Sequence, residues 1–67
     1  MDLHACTIVL TDHSKLICKT VEQSLGMIEH HGQSRINQIL IDAYDGQSVH
    51  SYQNLSIEES IESLMDL

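Results

Sequence analysis

One local pattern is written twice in these 67 residues. Residues 6–31 read as a strand, a turn, a second strand and a capped amphipathic helix, and residues 36–67 read the same way. Each unit is too small to bury its own apolar face. The two halves must therefore close on each other or on another chain. They are not alike residue for residue, so what repeats is a pattern and not a duplicated segment.

In the first half, Ala5 to Thr11 is rich in β-formers, and Lys15 to Lys19 reads Lys-Leu-Ile-Cys-Lys. Asp12-His13-Ser14 between them is polar and turn-like. A three-residue turn pairs Thr11 with Lys15 and Ile8 with Cys18. It puts Cys6, Ile8, Leu10, Leu16 and Cys18 on one face and Thr7, Val9, Thr11, Lys15, Ile17 and Lys19 on the other. A two-residue turn places Lys19 among the apolar residues, so the three-residue turn is expected. Thr20 with Gln23 fits a capping box, and Val21, Leu25 and Ile28 follow at the spacing of one helical face. Gly32 is the expected stop after His30 and His31. Gly26 costs about 1 kcal/mol inside a helix. If Leu25 to His31 were instead a third strand, the chain would become a small five-stranded barrel of the SH3 or Sm type with a C-terminal helix.

In the second half, Ile36 to Tyr44 is the strongest strand. Its consecutive Ile39, Leu40 and Ile41 read as a central strand covered on both faces. Asp45-Gly46 signals a hairpin, and Gln47 to Tyr52 returns. A type I turn with a glycine bulge groups Val49 with Ile39, Ile41 and Ala43. A two-residue turn puts His50 and Tyr52 there instead, and the sequence leaves both open. Ser56 with Glu59 is the clearest cap, and Ile57, Ile61, Leu64 and Met65 form the apolar stripe of the helix that follows. The expected fold is α+β: ββαββα, with a four-stranded, mainly antiparallel sheet and two helices on one face.

Composition narrows the function classes. The apolar residues are aliphatic (8 Ile, 8 Leu, 3 Val, 3 Met), with no Phe or Trp. A chain this short buries only about 60% of its unfolded surface. Dimerisation, which adds buried area without lengthening the chain, is expected. The net charge of −7 is uneven: residues 36–67 hold six acids and no base. Three bases are too few for direct nucleic-acid binding, and anionic membranes are disfavoured for the same reason. A basic protein surface is the compatible partner. Met1-Asp2-Leu3-His4 lacks the basic start of a signal peptide, and two cysteines make no disulfide framework, so a cytoplasmic setting is expected.

No constellation points to catalysis, and the chain is read as a non-enzyme. His4, Cys6 and Cys18, with His50 as an imported ligand, form the best metal candidate. Small core hydrophobes explain the cysteines more simply. A bridge between them is not expected, because the preferred register makes them diagonal neighbours. His30 and His31 are adjacent and point about 100° apart, so they cannot chelate as an i, i+4 pair. Asp12, Asp42 and Asp45 sit at turns without calcium-loop spacing. The acidic C-terminal helix has the strongest claim to function. Glu58, Glu59, Glu62 and Asp66 are the expected partner-binding residues, with Tyr44 and Tyr52 as interface anchors. The expectation is a small acidic interaction module, a regulator or inhibitor that binds a larger protein through its C-terminal half as a homodimer. No cofactor is expected. A small-ligand or metal binder and an acidic nucleic-acid mimic are the alternatives.

Overall fold

The structure is a computed structural model that describes residues 2–67. Met1, the first residue of the non-basic start, lies outside the described residues. The elements run β1 (Asp2–Leu10), β2 (Lys15–Cys18), α1 (Val21–His31), a short 3₁₀ turn (Gln33–Arg35), β3 (Ile36–Tyr44), β4 (Val49–Tyr52) and α2 (Ile57–Met65). The four strands form one sheet in the order β2-β1-β3-β4, with every pairing antiparallel. The first strand of each half thus lies at the centre and the second at an edge. Residues 25–31 are helical and the sheet is open, so the barrel does not form.

Both helices pack on one face. α1 lies against β1 and β2, α2 lies against β3, and the helices touch each other. Between the layers sits one aliphatic core of Cys6, Ile8, Cys18, Ile28, Ile36, Ile39, Ile41 and Leu64. Two bulges keep the inward set continuous. The register shifts between Leu3 and Ala5 and between Val9 and Leu10, which leaves His4 on β1 and Asn37 on β3 as extra residues. The second bulge lets Ile36 join Ile39 and Ile41 inside, with Asn37 and Gln38 consecutive at the surface.

The caps explain where the helices start and stop. The Gln23 N–H donates to Thr20 Oγ1 (3.0 Å), while Gln23 Oε1 accepts from the Lys19 N–H (3.1 Å), one residue beyond the cap itself. α1 ends at Gly32, whose φ of 79° suits glycine, and its N–H donates to the Ile28 carbonyl. α2 carries the full reciprocal box. The Glu59 N–H donates to Ser56 Oγ (3.1 Å), and the Ser56 N–H donates to Glu59 Oε1 (3.2 Å).

The β1–β2 hairpin has the expected face segregation in a different register. Cys6 faces Cys18, Ile8 faces Leu16 and Val9 faces Lys15. The turn is Thr11-Asp12-His13. The Leu10 N–H donates to the Ser14 carbonyl (2.8 Å), the His13 N–H donates to the Leu10 carbonyl (3.0 Å), and His13 takes a φ of 72°. Asp12 Oδ1 accepts from the Ser14 N–H and favours this placement. The β3–β4 turn is the two-residue alternative. Ile41 pairs with Tyr52, Ala43 pairs with His50, and the Asp45 N–H donates to the Ser48 carbonyl around Gly46 at φ 99°.

Candidate functional site

The metal candidate does not assemble. The β1 bulge breaks the period-2 alternation, so Leu3 packs against the core and His4 is exposed on the other side of the strand from Cys6. His50 stands on β4 with its Nε2 2.6 Å from Asp45 Oδ2. Among the described residues, no three His, Cys, Asp or Glu side chains come together in a metal-holding group. Cys6 and Cys18 are direct cross-strand partners, not diagonal ones, and both thiols are free and buried. Residues directly opposite keep their Cβ atoms roughly 4.5–5.5 Å apart, wider than the ~3.8 Å of a bridge. Burial pushes the Cys6 thiol up, against the opposing pull of the Ser24 hydroxyl, and this keeps it in the unreactive form.

The tyrosines do not form a pair. Tyr52 shares a face with Ile41, on the helix side of the sheet, while Tyr44 pairs with Val49 on the opposite face. Both are exposed, at 37% and 41%. They flank one hairpin and cannot contact a flat partner surface together.

The acids of α2 are all exposed, and they divide by what explains them. Glu59 is held by the capping box and Glu58 lies in the first turn, where the helix dipole favours a carboxylate. Glu62 has no such support. Asp66 stands at the C-cap, where the dipole disfavours negative charge. α1 adds Glu22 and Glu29. The helix layer thus holds six of the ten acids and neither Lys nor Arg.

Between the helices lies a groove of about 440 Å³ lined by Leu25, Ile28, Glu29, Ile61 and Met65, with Gly32 and Gln33 at its end. Helical spacing places carboxylates on both walls. Glu58, Ile61, Glu62 and Met65 follow at i, i+3, i+4 and i+7 on α2, and Glu22, Leu25 and Glu29 follow at i, i+3 and i+7 on α1. Met65, expected in the buried stripe, is 67% exposed at this groove, while Leu64 takes the core position. The lining is apolar apart from Glu29 and Gln33, and Glu22, Glu58 and Glu62 stand beside it by helical spacing. Nothing in the sequence marked the groove itself.

Among the described residues, no helix is long and apolar enough to cross a membrane. Compared with known protein families, curated proteins and solved structures, the chain matches none.

Proposed function

We propose that the protein is a non-catalytic binding module whose helix layer docks a basic, amphipathic segment of a larger protein. Leu25, Ile28, Ile61 and Met65 supply the apolar contact, and Glu22, Glu29, Glu58 and Glu62 steer and orient the partner's Lys and Arg. What carries this reading is an open apolar groove with Glu29 in its lining, between two helices that carry carboxylates and neither Lys nor Arg. Glu59 and Asp66 extend the negative field beyond the groove. A small regulator or inhibitor that covers a basic surface of its target is the role that suits such a module, and the cytoplasm is the compartment we assign to it.

A synthetic helical peptide with Leu and Lys on opposite faces serves as the probe, titrated calorimetrically. Glu58→Lys with Glu62→Lys lowers its affinity at least about tenfold and flattens its salt dependence. The same reversal at Asp12, on the β1–β2 turn, leaves the affinity nearly unchanged. Met65→Asp weakens binding without altering the far-ultraviolet circular dichroism. Equal affinity for the wild type and the Glu58/Glu62 reversal overturns the proposal.

The groove volume also falls within the range of about 300–1,000 Å³ typical of small-molecule sites. An apolar dye that binds equally well before and after the Glu58/Glu62 reversal, with no peptide binding, favours that second reading.

A further inference from the structure

The sheet has a second face, which the helices leave bare. On it β2 places Ile17, β1 places Ala5, Thr7 and Val9, β3 places Leu40 and Tyr44, and β4 places Val49 and Ser51. An antiparallel sheet with one solvated face shows alternation of apolar and polar residues. Here alternation fails on three strands. Ile8-Val9-Leu10, Leu16-Ile17-Cys18 and Ile39-Leu40-Ile41 are continuous apolar runs, the pattern of strands covered on both sides. Ile17 is 63% exposed and Val49 46%, and with Tyr44 they are three of the five large hydrophobic side chains exposed at the surface among the described residues.

We infer that this bare face is the interface of a homodimer, in which two sheets pack face to face about a two-fold axis running along the strands between β1 and β3. Charge selects a second copy as the occupant. The helix layer carries acids alone and repels its own kind. The sheet face carries both signs. Lys15 lies on the β2 edge and Lys19 follows its last residue in the bend before α1, while Asp42 lies on the central strand β3, beyond β1, with its Oδ1 accepting from the Ser51 hydroxyl. A two-fold along the strands sets the β2 edge of one copy over β4 of the other, beside β3, which brings Lys19 toward Asp42 twice. A two-fold across the strands would set lysines over lysines. Under the two-fold along the strands, Thr7 of one copy meets Leu40 of the other at the centre, since the two are register partners.

The area reaches at most the lower end of what a specific contact needs. The molecule measures 34 × 18 × 18 Å, and nine-residue strands of about 30 Å are long enough to span it. One face offers at most roughly 600 Å², less where the edge strands have four residues, so two copies bury up to about 1,200 Å². The inference is independent of the groove reading, since the groove lies on the other side of the molecule.

The test is light scattering coupled to size exclusion on the full chain over a dilution series. The expected mass is twice the 7.6 kDa of the chain, falling toward 7.6 kDa on dilution. Ile17→Asp, at a position exposed in the monomer, raises the dissociation constant at least about a hundredfold with unchanged circular dichroism. Lys19→Glu raises it about tenfold, and adding Asp42→Lys restores it. A wild-type mass of 7.6 kDa at every concentration overturns the inference. So does a dimer that survives Ile17→Asp and is indifferent to the Lys19/Asp42 charge swap.

Discussion

Ser24 and Ser60 hold the same place in the two halves, four residues beyond the capping Thr20 and Ser56, and both are completely buried. The Ser24 hydroxyl donates to the Thr20 carbonyl at 2.8 Å. The Ser60 hydroxyl has no hydrogen-bond partner among the described residues. A small side chain is needed at both positions for a helix to lie close to the layer beneath it, but only one of the two hydroxyls is satisfied.

Ser60→Ala removes an unsatisfied buried hydroxyl and retains the small size. It stabilises the protein by up to about 1 kcal/mol, read as a higher urea midpoint with an unchanged slope. Ser24→Ala breaks a made bond and gains nothing. A Ser60→Ala variant that loses more than about 1 kcal/mol would mean that its hydroxyl is hydrogen-bonded in solution.

The β3–β4 turn is acid-labile. The Ser48 N–H, then the His50 ring, then the Gln47 N–H hold the Asp45 carboxyl well below the usual carboxylate range. A carboxyl whose folded pKa is depressed contributes stability that is present above its unfolded pKa of about 4 and is lost as pH falls through its folded pKa. The amide resonances of Gln47 and Ser48 therefore stay native at pH 4 and shift only at more acidic pH. Asp45→Asn keeps an acceptor oxygen for both N–H groups and abolishes that acid transition. A transition at ordinary carboxylate pH in the wild type would contradict these contacts.

Gly26 occupies an exposed helical flank where an added Cβ meets nothing within 4 Å. Gly26→Ala raises stability by about 1 kcal/mol through helix propensity alone. Gly26 is not among the residues that line the groove, so affinity for the Leu–Lys peptide stays nearly unchanged. A loss of stability on Gly26→Ala, read from the urea midpoint, would contradict the helical, open setting of this position.

Much of the architecture was legible locally. Ile36 to Tyr44 is a strand with the expected bounds, Ser56 and Thr20 start the helices, and Gly32 ends the first. The β1–β2 register escaped because moving the turn from Asp12-His13-Ser14 to Thr11-Asp12-His13 shifts the pairing by two residues. That preserves every side chain's face, so apolar segregation could not tell the two apart. The His4 bulge escaped because an extra residue in a ladder leaves no mark in composition, and with it went the shared face of His4 and Cys6. The position of Tyr52 opposite Tyr44 turned on a single residue of turn length, which Asp45-Gly46 left open. The groove needed both helices in place, since its walls come from residues more than thirty positions apart in the chain.

The acidic α2 residues are all exposed, but they are not one set. Glu59 is committed to its cap, Glu58 lies in the first turn, and Asp66 stands at the C-cap, where the helix dipole disfavours its charge. The two tyrosines belong to different surfaces.

As proposed, the molecule is two-sided: a grooved helix layer takes a basic segment, and the bare sheet face takes a second copy. Amide chemical-shift mapping on the isotopically labelled full chain tests this most directly, by peptide titration and by dilution of the same sample. The Leu–Lys peptide is expected to move Leu25, Glu29, Ile61 and Met65, and dilution to move Ile17, Leu40 and Val49, with little overlap between the sets. Peptide shifts that fall on Ile17, Leu40 and Val49, or dilution shifts that fall on the helices, would contradict it.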